Sequence, residues 1–406
     1  MPTFPDGQVV RAAHPDDAEP LLRVLCAAFG LDCDAARPLF YKDPYYDLSL
    51  KRVLATPQDG IVACLTIIPA ILVVRGITLH TGGIAGVATH PAHQRHGYAS
   101  CLLAETLRML AQEHQFPLSA LFPYSETFYR RLGWETAARA RRWTGTLFPS
   151  ADDIWASSVR PASLLNEEDR HALQELRAAL PPAQTGLCRR DDKRWRVLEM
   201  TTPLWEWHVF EAHGVCSGCL ALQRPADAQG PFVIHEMLAA GDDARRSLRA
   251  FLSRLSGGRT PLSWATSPDQ PAAFGLPPER ACPAPEPGMM LRVVDLAAVL
   301  RALHPALAPV LARANRTLTL MVSDPLLPEN NKSLRLTPHG IDLGTADDPD
   351  WLRLAISAPA PIITGDCLPS TLADLGELEA SSPAALAFAD DLFPRTHPFA
   401  APADQF

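Results

Sequence analysis

Residues 82–109, GGIAGVATHPAHQRHGYASCLLAETLRM, constrain this chain more than any other stretch. An apolar strand rich in small residues runs into Gln94-Arg95-His96-Gly97-Tyr98-Ala99, and an amphipathic helix follows at once. Leu102, Leu103, Leu107, Leu110 and Ala111 recur at helical spacing, so that helix buries one face. Small residues let a backbone come close to a ligand, and successive N–H groups at a helix N-terminus point at an anion. The helix dipole adds partial positive charge, and Arg95 adds a full one. The stretch therefore reads as a phosphate site. It has no Gly-Lys-Ser/Thr, so it is not a P-loop, and it is not a Gly-x-Gly-x-x-Gly dinucleotide turn.

The flanks supply context. Residues 61–68 and 71–79 are apolar and rich in β-branched side chains, with Pro69 and Arg75-Gly76 as punctuation. A helix with Leu21, Leu22, Leu25, Ala28 and Phe29 on one side precedes them. Helix, strand meander, phosphate loop and helix follow in that order, with Gln94-x-x-Gly97-x-Ala99 after a Val-x-x-x-Pro strand end. This resembles motif A of the GNAT N-acetyltransferase superfamily. The resemblance implies a site for acetyl-CoA. The backbone of Arg95, His96, Gly97, Tyr98, Ala99 and Ser100 would cradle the pyrophosphate. Val87, Ala88 and Thr89 would pair with the pantetheine arm, and a backbone N–H there would stabilise the thioester carbonyl oxygen.

Acetyl transfer to an amine needs a base for the ammonium proton and an acid for the departing thiolate. The segment Phe122-Pro-Tyr-Ser-Glu-Thr-Phe-Tyr-Arg-Arg-Leu-Gly-Trp134 ends in Phe-Tyr-x-x-x-Gly-aromatic. That ending resembles the GNAT segment carrying the thiolate-protonating tyrosine, and Tyr129 takes its place. A phenol of ordinary pKa, about 10, can donate at neutral pH. The competing reading packs Tyr129 at a helix end beside Leu132 and Trp134, and Tyr124 is the rival acid. Tyr124 and Ser125 are expected beside the cofactor.

The chain has 406 residues and ends in Asp404-Gln405-Phe406. This layout resembles the enhanced-intracellular-survival family of acetyltransferases, in which the α-carboxylate of a C-terminal phenylalanine is the general base. Phe406 matches that residue. An α-carboxylate, with a pKa of about 3.5, is ionised at neutral pH and attracts an ammonium. The competing reading is a frayed chain end.

At about 150 residues per domain, 406 residues give two to three domains. The expected architecture is α/β and α+β multidomain. A catalytic GNAT domain takes residues 1–150. A degenerate GNAT-like domain takes 151–288, after a linker at 147–161. An α+β domain resembling sterol carrier proteins takes 289–406 and returns the C-terminus to the first domain. In the second domain, strands at 205–210, 214–222 and 232–238 lead into a helix at 242–255. Asp242 and Asp243 stand where an anion would sit, so that copy repels CoA. In the third, a helix is expected at 295–303, strands near 318–322, 333–336 and 340–343, and helices at 370–375 and 383–389. The Pro-rich run 282–287 reads as the approach to that domain.

The apolar fraction of 47% is ordinary, and the 39 prolines are dispersed. The expectation is a cytoplasmic protein. The start MPTFPDGQVV lacks a signal pattern, no run of about 18 apolar residues reads as a membrane span, and nine cysteines read as reduced core thiols. The net charge of −8 argues against nucleic acid and suits a small cationic amine substrate. Asp43, Glu126 and Asp404 are acidic residues near segments expected to line the cleft. The family resemblance implies a homo-oligomer, a hexamer, and acceptors such as aminoglycosides, polyamines or lysine amino groups.

Other signals weigh less. His90, His93 and His96 recur every three residues, but a loop wrapped round a pyrophosphate splays its side chains, so no metal is expected. Cys216-Ser-Gly-Cys219 is a lone pair within a strand and reads as half-buried thiols. There is no Gly-x-Ser-x-Gly elbow to support a hydrolase. A protein-lysine acetyltransferase and a non-enzymatic CoA- or lipid-binding scaffold remain the alternatives to a small-molecule acetyltransferase.

Overall fold

The computed structural model describes residues 7–113, 116–147, 158–227, 229–267 and 281–406. Two compact units form. One takes Met1–Ala137, Met289–Thr396 and Phe406, and the other takes Ala138–Gly288 and His397–Gln405.

The first unit opens with strand β1 (Val9–Ala12), helices α1 (Ala18–Phe29) and α2 (Cys33–Lys42), and strands β2 (Lys51–Thr56), β3 (Gly60–Val74) and β4 (Ile77–Thr89). Helix α3 (Tyr98–Glu113), strand β5 (Leu118–Leu121) and the short helix α4 (Glu126–Arg130) follow. Strands β1 to β4 pair antiparallel in sequence order, and β5 joins β4 in parallel after the crossover through α3. Pro69 was expected to break the apolar run, yet β3 passes through it unbroken. The ladder with β2 ends opposite Thr66, so the missing N–H of Pro69 lies beyond it. The turn comes at Arg75-Gly76, where both φ values are positive (51° and 78°), the requirement of a two-residue type I′ hairpin.

Strand alternation sorts the side chains into two layers. Leu65, Ile67 and Ile84 pack with Leu102, Leu103, Leu107 and Leu110 of α3. Val53, Cys64 and Ala88 pack with Leu21 and Val24 of α1 on the opposite face. Ile84 and Ala88 are an even number of residues apart, yet they face opposite layers. The β3–β4 register shifts between Cys64 and Thr66, and Gly86 adopts φ 58°, so one extra residue in β4 reverses the alternation.

The same unit holds a second sheet with strands ordered Gly340–Leu343, Leu334–Thr337, Leu318–Ser323, Trp351–Ala355 and Leu378–Ala380. The last two strands were not anticipated, nor was the helix Pro359–Thr364. The helix expected to stop near residue 303 runs Leu296–Ala314 and contains Pro305 and Pro309. Four residues apart, both prolines fall on the exposed side, while Leu303, Leu307 and Leu311 hold the opposite stripe in the core. Contrary to the reading from run length, this helix is long and apolar enough to cross a membrane by length and composition. In the fold its leucines are core residues. Arg292 and Asp324, both fully buried, pair through two hydrogen bonds of 2.8 and 2.9 Å.

The second unit repeats the strand–helix–strand theme. Phe232–Ala239 leads through helix Asp242–Ser256 to the parallel strand Leu262–Thr266. Leu248 and Leu252 pack against Leu220, Leu222, Ile234 and Trp264 on one face, and Leu173, Leu176 and Trp195 pack against Trp207, Val209 and Ala221 on the other. Within the expected linker, residues 148–157 lie outside the described residues, and Val159–Ala162 is a strand rather than linker. The Pro-rich run at 282–287 belongs to the strand Ala281–Val293. Cys216 and Cys219 lie on the strand Val215–Gln223 as free thiols, beside a bulge between Cys216 and Gly218.

Candidate active site

The loop before α3 has the hydrogen-bonding vacancy an anion needs. Gln94 N–H closes a turn onto Pro91 O at 3.4 Å, and Cys101 N–H makes the first helical bond, to Gly97 O at 3.0 Å. Among the described residues, the intervening N–H groups of Arg95, His96, Gly97, Tyr98, Ala99 and Ser100 make no backbone hydrogen bond. Those of Tyr98, Ala99 and Ser100 are the orphan donors of the first helical turn. Arg95 and Gly97 have φ of 64° and 79°, and left-handed residues in such a run shape a concave nest. A positive φ at Arg95 is uncommon for a non-glycine residue and belongs with strain held at a site. Arg95, His96 and Gly97 are exposed, and the His96 ring stacks against Tyr98 with centroids 5.8 Å apart. Among the described residues no group of three His, Cys, Asp or Glu is placed to hold a metal ion.

Upstream, β4 parts from β5. The two pair at Thr81↔Leu118, Gly82↔Ser119 and Gly83↔Ala120, whereas β4 stays on β3 as far as Thr89↔Ala63. His90 N–H donates to Val62 O at 2.9 Å, so alternation turns the N–H groups of Thr89 and Val87 to the opposite, open edge. Val87, Ala88 and Thr89 thus border a slot whose edge can accept an extended chain as an added strand.

Phe406 lies where that slot begins. Its ring meets Phe122 edge to face at 5.4 Å and covers Gly83, the last β4 residue paired with β5. Gly82, Gly83 and Gly86 were not singled out in the sequence, although glycine inside a strand marks a bulge or a close approach. Both occur here.

Tyr129, on α4, is 4% exposed and packs edge to face against Phe128 at 5.0 Å and against Tyr124 and Trp134, each at 6.2 Å. Burial, with Tyr124 nearby, pushes its phenol up to about 12. The ordinary value taken from sequence is corrected accordingly, because a phenolate in that aromatic setting lacks solvation. Tyr124 is 83% exposed, and Ser125 is the N-cap residue of α4.

The acidic candidates separate. Asp43 accepts from Tyr45 N–H at 2.8 Å, and Glu126 pairs with Arg130 at 2.7 Å. Asp404 is enclosed within the second unit. It is 2% exposed and bonded to Arg177 Nη2 and Arg190 Nε, each at 2.6 Å. Both arginines also bind Glu236, itself buried, closing a four-residue network in the second unit. Burial pushes the Asp404 carboxyl up, but Arg177, Arg190 and Arg194 outweigh it and hold the group below the usual range.

A cleft of about 730 Å³ in the first unit is lined by Arg108, Leu296, Arg301, Leu327, Lys332 and Leu343 among others. None of its lining residues belongs to the loop, the slot, Tyr129 or Phe406.

Comparison with known proteins assigns the pieces. Residues 9–137 and 186–293 each match an acetyltransferase (GNAT) domain family, and residues 298–401 match a sterol carrier protein domain family. No curated protein matches the sequence. Among solved structures, a GCN5-related N-acetyltransferase from Anabaena variabilis superposes with TM-score 0.81 at 21% identity, covering 98% of this chain and 100% of that one. A GCN5-related N-acetyltransferase from Kribbella flavida gives 0.76 at 19%, covering 98% of each chain. Eis1 from Mycobacterium abscessus gives 0.75 at 18%, covering 98% of this chain and 100% of that one. At these identities the shared property is the fold.

Proposed function

Since this chain is a GNAT-family N-acetyltransferase with two GNAT domains and a sterol carrier protein domain, we propose that it moves an acetyl group from acetyl-CoA directly to an amine within a ternary complex. The observation that carries the reading is the run of six unbonded N–H groups from Arg95 to Ser100 at the start of α3. Such donors fit a pyrophosphate without further side chains.

On this reading the residues of the site divide the work as follows. The loop holds the phosphates, and the open edge of Val87, Ala88 and Thr89 takes the pantetheine arm and offers an N–H to the thioester oxygen. Tyr124 and Ser125 flank the cofactor. The Phe406 carboxylate, directly or through a water, accepts the ammonium proton, and its ring fixes the chain end against Gly83 and Phe122. Tyr129 stays protonated across the working pH range and donates to the departing thiolate. In the second unit Asp242 is exposed, Asp243 stands beside it and Asp242 pairs with Arg245, which supports a domain that binds no CoA. The reading carries a homo-oligomer with it, a hexamer by resemblance, which light scattering checks.

The test is acetyl-CoA turnover, followed as free thiol, with a panel of aminoglycosides, polyamines and lysine peptides. Wild type is run beside a chain extended by two residues past Phe406. Turnover that collapses in the extended chain while CoA binding persists supports both the activity and the terminal base. Equal turnover in both removes Phe406 from the mechanism. Turnover with lysine peptides but no small amine moves the acceptor to protein.

A further inference from the structure

Lys51, at the start of β2, is a buried cation the reaction above does not use. Its side chain is 3% exposed. Its nitrogen bonds Thr66 Oγ1 at 3.2 Å and lies 5.0 Å from the ring centroid of Phe40 and 5.8 Å from that of Tyr46. Among the described residues no carboxylate comes within ion-pair distance of it, though Asp43 and Asp47 act on it from farther away. Aromatic faces attract a cation, but they replace little of its lost hydration. An ammonium has three donors, and Thr66 takes one. Lys51 is therefore short of an anion.

Register places it in the acceptor region. Lys51 pairs with Thr66, and Thr66 pairs with Ala85, so the three form one row across β2, β3 and β4. The next row on the same face is Ile68 and Gly83, and the Phe406 ring covers Gly83 from that face. Two strand spacings and one row put the Lys51 and Gly83 Cα atoms about 12 Å apart. Ala85, between them, is only half-covered.

We infer that Lys51 is a specificity residue that receives an acid group of the acceptor, so that preferred acceptors are amines that also carry a carboxylate, amino-acid-like rather than purely polycationic. This rests on the acetyl-transfer reading for where the amine sits.

The experiment uses matched pairs differing by one carboxylate: lysine and cadaverine, ornithine and putrescine, tryptophan and tryptamine. Equilibrium binding to the full chain saturated with CoA is measured alongside acetyl-CoA turnover. The expected result is at least tenfold tighter binding of the acid member in one or more pairs, with Lys51→Met abolishing the difference and leaving CoA affinity intact. Equal affinity within every pair, preference for the decarboxylated member, or no binding by any member overturns the inference. Where Lys51→Met does not fold, the wild-type preference decides alone. Discriminating binding without turnover leaves Lys51 standing and sinks the acetyl-transfer reading. Turnover without discrimination does the reverse.

Discussion

A Cβ atom at position 83 would lie 2.5 Å from Cε2 and 2.7 Å from Cζ of Phe406, so glycine 83 and the terminal ring occupy complementary volumes. The carbonyl of Ile68, 3.1 Å away, blocks an escape on the other side. Overpacking of this kind costs roughly 1–3 kcal/mol, and the end of the chain gives way before the sheet does. Gly83→Ala is therefore expected to lower kcat about tenfold by moving the ring and its carboxylate. Acetyl-CoA affinity should stay within about twofold. Thiol-release kinetics and CoA titration check the two halves separately.

Tyr129→Phe removes the proposed acid while keeping the aromatic packing. The expected loss in kcat is about 10²-fold, with little change in the KM for acetyl-CoA. Burial raises the folded phenol to about 12, so its neutral form prevails below that pH. That preference stabilises the fold below the ordinary value of about 10 and is lost as pH climbs through the raised value. A wild-type kcat profile with an alkaline limb near pH 9 that vanishes in Tyr129→Phe would contradict the buried phenol.

Gly97 has φ 79° and open space where a Cβ would go. A β-branched residue there meets strain without a clash, roughly 1–3 kcal/mol. Gly97→Val should weaken acetyl-CoA binding about tenfold or more by reshaping the nest. The melting temperature should barely move. Calorimetry and thermal unfolding together check this.

The buried Arg177–Glu236–Arg190–Asp404 network is balanced in charge, so deleting either acid leaves an excess cation in the interior. Asp404→Ala is expected to destabilise the second unit by about 3–5 kcal/mol. Because Asp404 is held below the usual carboxylate range, its contribution is present above that range and lost as pH falls through the depressed value. Urea unfolding of wild type and variant at neutral and acidic pH checks it.

His235 stacks on Trp205 at 3.8 Å, and burial, then Arg142, push its pKa down to about 4. Folding therefore favours neutral His235. This contribution is complete above the ordinary value of about 6.5 and is lost as pH drops through about 4. The wild-type melting temperature should fall across that window more steeply than that of His235→Phe.

Local features of the chain were legible because their causes are local. Gly97 followed by helical leucine spacing signals a strand–loop–helix anion site, and the loop has that form. Arg75-Gly76 marks a hairpin by the positive φ it permits. Contacts between distant residues were not legible. Nothing near Phe406 in sequence names Gly83 as its neighbour, and Asp404 looked like a free acid because its arginines come from more than 200 positions earlier. Lys51 carries no signal in the sequence, because a lone lysine normally lies at the surface. Pro69 misled for a related reason, and the helix that holds Pro305 and Pro309 runs on past the expected end at 303. The cost of each proline depends on whether the missing hydrogen bond or the ring meets a neighbour, which only the tertiary structure decides.

The single extra residue at Gly86 gives β4 two phases. Up to Ile84 the strand assigns its side chains to the α3 and α1 layers in one order, and past the bulge in the reverse order. Deleting Gly86 would set Val87 opposite Leu65 and leave Ala88 opposite Cys64, so every later side chain would keep its layer. What would go is the bulge itself, with the bend and added twist it puts into β4 just past its pairing with β5. A family member lacking that residue would keep the sheet and its core and lose the opening in which a thioester arm can lie.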